Sequence, residues 1–368
     1  ISQDVQGEAF EYPEIFFEEK IHEIRRVHPD PNQIKRAAEK IINSKQPIII
    51  AGGGVLYSEA EIELSNFAKK HNIPVTPTVM GIGCMTKDDP YYIGAIGCLG
   101  EGSSNSLSKD TDLALAIGTK LGDFTTGSWS NFHNKDFKLV SINTARFDVT
   151  KHLATPVVSD AKIGLKELST ALGDWKVSNN WYDRAVKERS EWDQYVSKQS
   201  GPTNQELPSY AHAVGAVYRS ADPSDIVVTA AGGLVGEVVQ IWKPKELNTF
   251  ETEWGFSCMG YEISGALGIK MAKPNQDVIV FVGDGSYLLN NSDIYSSVIY
   301  DKKLIIVVCD NGGHMVINRL QLAKGGKEYL CNLKATGAKN LQFVDFEAHA
   351  KSMGANGETV KSTSELEA

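Results

Sequence analysis

At 368 residues the chain is long enough for two domains of ordinary size. Its composition, 42% hydrophobic and 23% charged, is that of a soluble globular protein, and no apolar run approaches the roughly 20 residues that span a bilayer. The net charge of −9 argues against general nucleic-acid binding, and the five scattered cysteines (Cys84, Cys98, Cys258, Cys309 and Cys331) lack paired metal spacing and suit reduced thiols in a cytoplasm.

The chain opens at Ile1 without a methionine, and "ISQDVQGEAFEYPE" reads as the end of a strand running into a linker that continues to about residue 29. The stretch "DPNQIKRAAEKIINSK" predicts a helix capped by Asp30, with Pro31 in its first turn. "QPIIIAGGG" predicts a strand ending on Gly52, Gly53 and Gly54. "SEAEIELSNFAKKHN" predicts a second helix, and Ile73 to Thr76 a short strand. "DLALAIGTK" and "FKLVSIN" are two more buried strands, and the helix "AKIGLKELSTALGDW" closes this region near residue 175. Strands alternating with helices imply a doubly wound parallel sheet.

Residues 179 to 207 are polar, helical and then loop-like, which marks a domain boundary. A second α/β region follows. It has the helix "PSYAHAVGAVYRSA", the strand "DIVVTAA" running into "GGLVGE", and the small-residue helix "SCMGYEISGALGIKMA". Val278 to Val282 form a buried strand, "SDIYSSVIYDKK" a helix and "LIIVVCDN" the next strand. "GANGETVKSTSELEA" breaks off as a strand and a helix begin. The two ends together suggest a piece of a longer protein, the alternative being a mature chain with ragged ends. Both α/β regions look nearly complete, and each is expected to bury its own core.

Within "VIVFVGDGSYLLNNSD", a run of β-branched residues stops on Gly283-Asp284-Gly285. The glycines permit a tight turn and close approach of a ligand. A carboxylate where a strand hands over to a helix suggests a cation bridging to an anion, such as Mg²⁺ on a diphosphate. The strand that ends at Asp310-Asn311 should reach the same edge. Mg²⁺ takes about six oxygens and shares them with water and phosphates. Asp284 offers a carboxylate oxygen, Asn311 an amide oxygen and Gly313 a backbone carbonyl; Gly312 and Gly313 keep that loop open.

The set Gly283-Asp284-Gly285 with the closing Asn311 resembles the thiamine diphosphate motif, which runs from GDG to NN; Asp310 replaces the first Asn of the pair. The resemblance implies thiamine diphosphate and Mg²⁺ as cofactors. It places Met259 as an apolar wedge under the bent cofactor, although a plain core methionine would look the same. It has Ser257 offering a carbonyl to the ring amine, and Gly285 and Ser286 giving N–H groups to the diphosphate. Gly232 and Gly233 would do the same from the other end of the sheet, or serve only as a glycine turn. His314, just after the metal loop, is either an acid–base group for substrate or a loop residue without a role.

"PIIIAGGGVLYSEAEIELSNFAKKHNIPV" is similar to the central domain of the acetohydroxyacid synthase group. Several members hold FAD there, but "GTKLGDFTTGSWS" departs from their pattern and FAD is not expected. "ISQDVQGEAF", "EWGFSCMGYEISGALGIKMA" and "DNGGHMVINRLQ" resemble instead the trihydroxycyclohexane-1,2-dione hydrolases of myo-inositol catabolism. That resemblance implies hydrolytic C–C cleavage that opens a cyclic dione to 5-deoxy-glucuronate, in a cytoplasmic homodimer or tetramer. It divides the chain into the end of an N-terminal domain plus linker (1–29), a central domain (30–176) and a cofactor-binding domain truncated at its C-terminus (177–368). It also puts the activating glutamate in the N-terminal domain, so this chain by itself should be inactive. The alternatives are a synthase or decarboxylase acting on 2-oxo acids, and a non-catalytic nucleotide-binding module on the same fold.

Overall fold

The computed structural model describes residues 1–205 and 207–367. Two parallel sheets organise it. The first contains β1 (Pro47–Ala51), β2 (Val75–Pro77), β3 (Leu113–Ile117), β4 (Lys138–Asn143) and β5 (Thr155–Val158), in the order β2-β1-β3-β4-β5. Its central strands are buried on both faces, which is why they read as unbroken apolar runs. The helix Pro31–Ile42 starts as expected, with the Asp30 side chain accepting the Asn32 N–H at 2.7 Å.

The second sheet contains β6 (Ile226–Thr229), β7 (Phe250–Thr252), β8 (Val278–Gly283) and β9 (Ile305–Cys309), in the order β7-β6-β8-β9. The chain places β7 on one side of β6 and β8 on the other. The order therefore reverses between β6 and β8, and a crevice opens beyond their carboxyl ends.

Four features differ from the sequence reading. The edge strands β5 and β7, of four and three residues, are too short to announce themselves. The helix Gly102–Asp110 is polar in sequence because it buries serines whose hydroxyls bond inward: Ser103 to the Ile93 carbonyl at 2.7 Å and Ser108 to the Asn131 carbonyl at 3.3 Å. Residues 355–361 form no strand, and the Thr359 N–H donates to the Glu347 carboxylate at 3.0 Å instead. The helix expected from Ser257 begins only at Tyr261, because Gly260 adopts a left-handed φ of 95° that a helix cannot contain.

Each region buries a core of its own, as expected, around Ile48, Leu64, Leu115 and Val140 in the first and around Val228, Ile263, Ala266 and Val280 in the second, but a further cluster is shared. Val79, Ile82 and Ala95 of the first join Val235, Val238 and Phe250 of the second in one apolar cluster. Beside it the Lys243 ammonium meets the Glu101 carboxylate, which also accepts the Ala95 N–H at 3.0 Å. Burial pushes the Glu101 carboxyl up, and Lys243 opposes that shift. Lys243→Met is expected to cost about 3–5 kcal/mol, because it leaves a buried carboxylate without its partner. A carboxyl with a raised native pKa favours the fold below its unfolded value and ceases to as pH rises through the native one. The loss should therefore deepen with increasing pH in urea melts of the variant. A pH-independent loss would remove Glu101 as its cause.

Candidate active site

Four loops meet at the carboxyl edge of the second sheet: those after β6, β7, β8 and β9. The pairing of Gly283 with Cys309 sets the ends of β8 and β9 side by side, so Asp284 and the Asp310–Gly313 loop are neighbours. The Gly313 N–H donates to Asp284 Oδ2 at 2.7 Å, and the Gly312 N–H donates to Asp310 Oδ1 at 2.9 Å. Gly312 and Gly313 hold φ values of 77° and 135°, which favour glycine in both places.

Asp284 is the first residue of the helix Asp284–Leu289 and only 5% exposed. Burial pushes its carboxyl up. The N–H groups of Gly313 and Gly285 pull it down, and the neighbouring Asp310 carboxyl raises it further. Among the described residues no lysine, arginine or histidine forms an ion pair with it. A buried acid facing a second acid without a counter-charge is a poor arrangement for a fold alone. It suits a cation. No group of three or more His, Cys, Asp or Glu among the described residues is placed to hold a metal. A cation here would thus depend on one carboxylate, neutral oxygens and the ligand's own oxygens, which is the way Mg²⁺ is usually held on phosphates. The residues fit that role.

The neutral oxygens are close. Asn311 is exposed, and its Nδ2 donates to the hydroxyl of Tyr210. The Gly313 carbonyl accepts the Met315 N–H at 3.0 Å and keeps a second lone pair. Tyr210 begins the helix Tyr210–Ser220, and burial pushes its phenol up to about 12, so it stays neutral at ordinary pH. Sequence reasoning missed Tyr210. Only the tertiary fold brings a residue 101 positions away against Asn311.

Next to the cation position lies a small cradle. A Cβ placed on Gly285 would fall 2.8 Å from His314 Cε1 and 3.4 Å from Met259 Cε. His314 and Met259 thus stand together over Gly285. Met259 is 38% exposed and belongs to the turn before the helix Tyr261–Ala272, not to the helix itself. Ser257 sits in the same turn with a φ of 54°, and its hydroxyl donates to the Ala230 carbonyl at 3.1 Å. Glu253 shapes this turn by accepting the N–H groups of Phe256 at 2.9 Å and Cys258 at 2.7 Å.

Gly232 and Gly233 follow β6, which lies directly beside β8. The expectation that they sit at the other end of the sheet is corrected: β6 runs parallel to β8 and beside it, so the turn after β6 emerges at the same edge as Asp284. Gly233 caps the helix Leu234–Ile241, and a Cβ there would fall 2.8 Å from an Arg319 guanidinium nitrogen.

Glu262 ties these loops together. It is 1% exposed; its Oε1 accepts the Ala231 N–H at 3.3 Å and its Oε2 the Gly260 N–H at 2.9 Å. Burial pushes its carboxyl up against these bonds and one from the buried Ser286 side chain. One acid thereby links the loops after β6, β7 and β8.

The fold and the site define an α/β protein with a cation-ready crevice at the switch point of its second sheet. The chain belongs to the thiamine pyrophosphate enzymes. Residues 34–168 match their central domain and residues 230–368 their C-terminal TPP binding domain. It is similar to the 3D-(3,5/4)-trihydroxycyclohexane-1,2-dione hydrolase of Halalkalibacterium halodurans, at 35% identity over 100% of this chain and 61% of that protein. The hydrolases of the same name from Clostridium tetani and Lacticaseibacillus casei are each 34% identical over 96% of the chain, which covers 60% and 59% of them. The chain therefore spans about three fifths of the length of these relatives. Among the described residues no helix is long and apolar enough to cross a membrane.

Proposed function

We propose that this chain carries the metal–diphosphate half of an enzyme that opens trihydroxycyclohexane-1,2-dione by hydrolysis to 5-deoxy-glucuronate, a step of myo-inositol catabolism, in a homodimer or tetramer. The observation that carries the reading is the similarity, along the whole chain, to hydrolases of that name. Bound thiamine diphosphate supplies a carbon nucleophile and an electron sink for breaking a bond between two carbonyl carbons. The protein's part is to hold and orient. Asp284, the Asn311 amide oxygen and the Gly313 carbonyl would hold Mg²⁺, whose charge would balance the two acids and the diphosphate together. The N–H groups of Gly285, which donates to the Asp284 carboxylate, and of Ser286, with those of Gly232 and Gly233 beyond β6, would be offered to the diphosphate. Met259 would support the bound cofactor as an apolar wedge, and the Ser257 carbonyl would accept from its ring amine. His314, over the Gly285 cradle, holds or delivers a proton at a substrate oxygen.

The test is a product assay on a protein of the relatives' full length, with Mg²⁺ and thiamine diphosphate. Opening of the cyclic dione without rapid carbon dioxide release from pyruvate is the expected result. Rapid acetolactate formation with no dione hydrolysis would replace this reading with that of a synthase.

A further inference from the structure

The contact between Tyr210 and Asn311 joins the start of one helix to the loop after β9, far apart in sequence. An asparagine amide has two chemically opposite ends on one planar group, and only the oxygen can face a cation. A free, exposed amide rotates between the two. Here Nδ2 is engaged by the phenol oxygen, and Oδ1 accepts no hydrogen bond among the described residues. The ring of Tyr210 is packed against the cluster that holds Val214, Val227 and Phe281, so the phenol is a fixed post and not another loose side chain. The neighbouring acids reinforce the need for such a post. Asp284 and Asp310 would attract the amide's N–H end whenever the cation is away. An asparagine left to itself would then turn its oxygen from the place where it is needed.

We propose that Tyr210 is a positioning residue: its phenol oxygen takes the Asn311 N–H and so keeps the amide oxygen turned to the cation before the cation arrives. The inference rests on Asn311 being a Mg²⁺ ligand. Preorganisation of this kind lowers the cost of binding without adding a contact to the metal.

The experiment is isothermal titration of Mg²⁺ into the 368-residue chain in the presence of thiamine diphosphate, which requires no turnover. Tyr210→Phe keeps the packed ring and removes only the acceptor. One neutral hydrogen bond is worth about 0.5–1.5 kcal/mol, so the apparent Mg²⁺ affinity should fall roughly three- to tenfold. The melting temperature without ligands should not change. In an Asn311→Ala background the same substitution should have no further effect, because its effect passes through the amide. Unaltered affinity in Tyr210→Phe, with the parent chain binding normally, overturns the positioning role alone. Equal losses in the presence and absence of Asn311 also overturn it, since the phenol would then act by another route. If the parent chain shows no Mg²⁺-dependent cofactor binding, or Asp284→Ala binds as well as the parent does, the metal site itself falls and the inference with it.

Discussion

Asp284→Ala is expected to abolish Mg²⁺-dependent binding of thiamine diphosphate. Loss of groups that merely support a metal ligand typically costs roughly 10–100-fold, so loss of the carboxylate itself should exceed about 100-fold. The same site predicts an opposite effect on the empty protein. Asp284 is buried beside Asp310 with its carboxyl pushed up, so its ionised form opposes the metal-free fold. With the native pKa above the unfolded one, its contribution favours folding at acid pH and weakens as pH rises through the native value. Asp284→Asn should therefore melt higher than the parent without Mg²⁺, most visibly at neutral pH and above. It should gain nothing from Mg²⁺ and cofactor, whereas the parent does. Titration calorimetry and paired melts measure both effects. An Asp284→Ala protein with parental affinity would sink the assignment.

The second large effect concerns turnover by the 368-residue chain itself. Thiamine chemistry needs an acid at the pyrimidine ring, and the glutamates of this crevice are occupied. Glu262 takes the N–H groups of Ala231 and Gly260, and Glu253 those of Phe256 and Cys258. Glu237 lies on the helix Leu234–Ile241 in the field of Arg319. We therefore expect the acid to come from the part of the relatives' length that this chain does not span. General acid–base catalysis contributes typically 10²–10⁴-fold, and a deficit on the order of that size is expected against a full-length protein assayed with Mg²⁺, cofactor and the dione. A rate within about tenfold of the full-length protein would mean that the acid lies among these residues after all.

Most of the scaffold was legible because parallel strands buried on both faces leave continuous apolar runs, as in "PIIIA", "LALAI" and "VIVFVG". The Asp284–Asn311 adjacency was legible because strand ends carry chemistry and two successive strands of such a fold share an edge. What stayed hidden was lateral order. Nothing local in "DIVVTAAGGLVGE" reveals that β6 neighbours β8, so the sequence alone did not bring the Gly232–Gly233 turn beside Asp284. Tyr210 and Glu262 were hidden for a related reason. A tyrosine at a helix start and a glutamate in a helix's first turn are ordinary in sequence, and only long-range packing gives them partners. Met259 was placed on a helix because small and apolar residues run straight through Gly260; its left-handed backbone is a local choice that composition does not reveal.

The shared apolar cluster has a consequence for cooperativity. Because Val79, Ile82 and Ala95 complete the packing around Val235, Val238 and Phe250, the two sheets are coupled through this cluster even though each also packs a core of its own. An excised cofactor-binding segment would present that face to water, with Lys243 stripped of Glu101. The amides of β6 and β8 should then exchange with solvent through the same global opening as those of β1 and β3, not through a separate one of lower free energy.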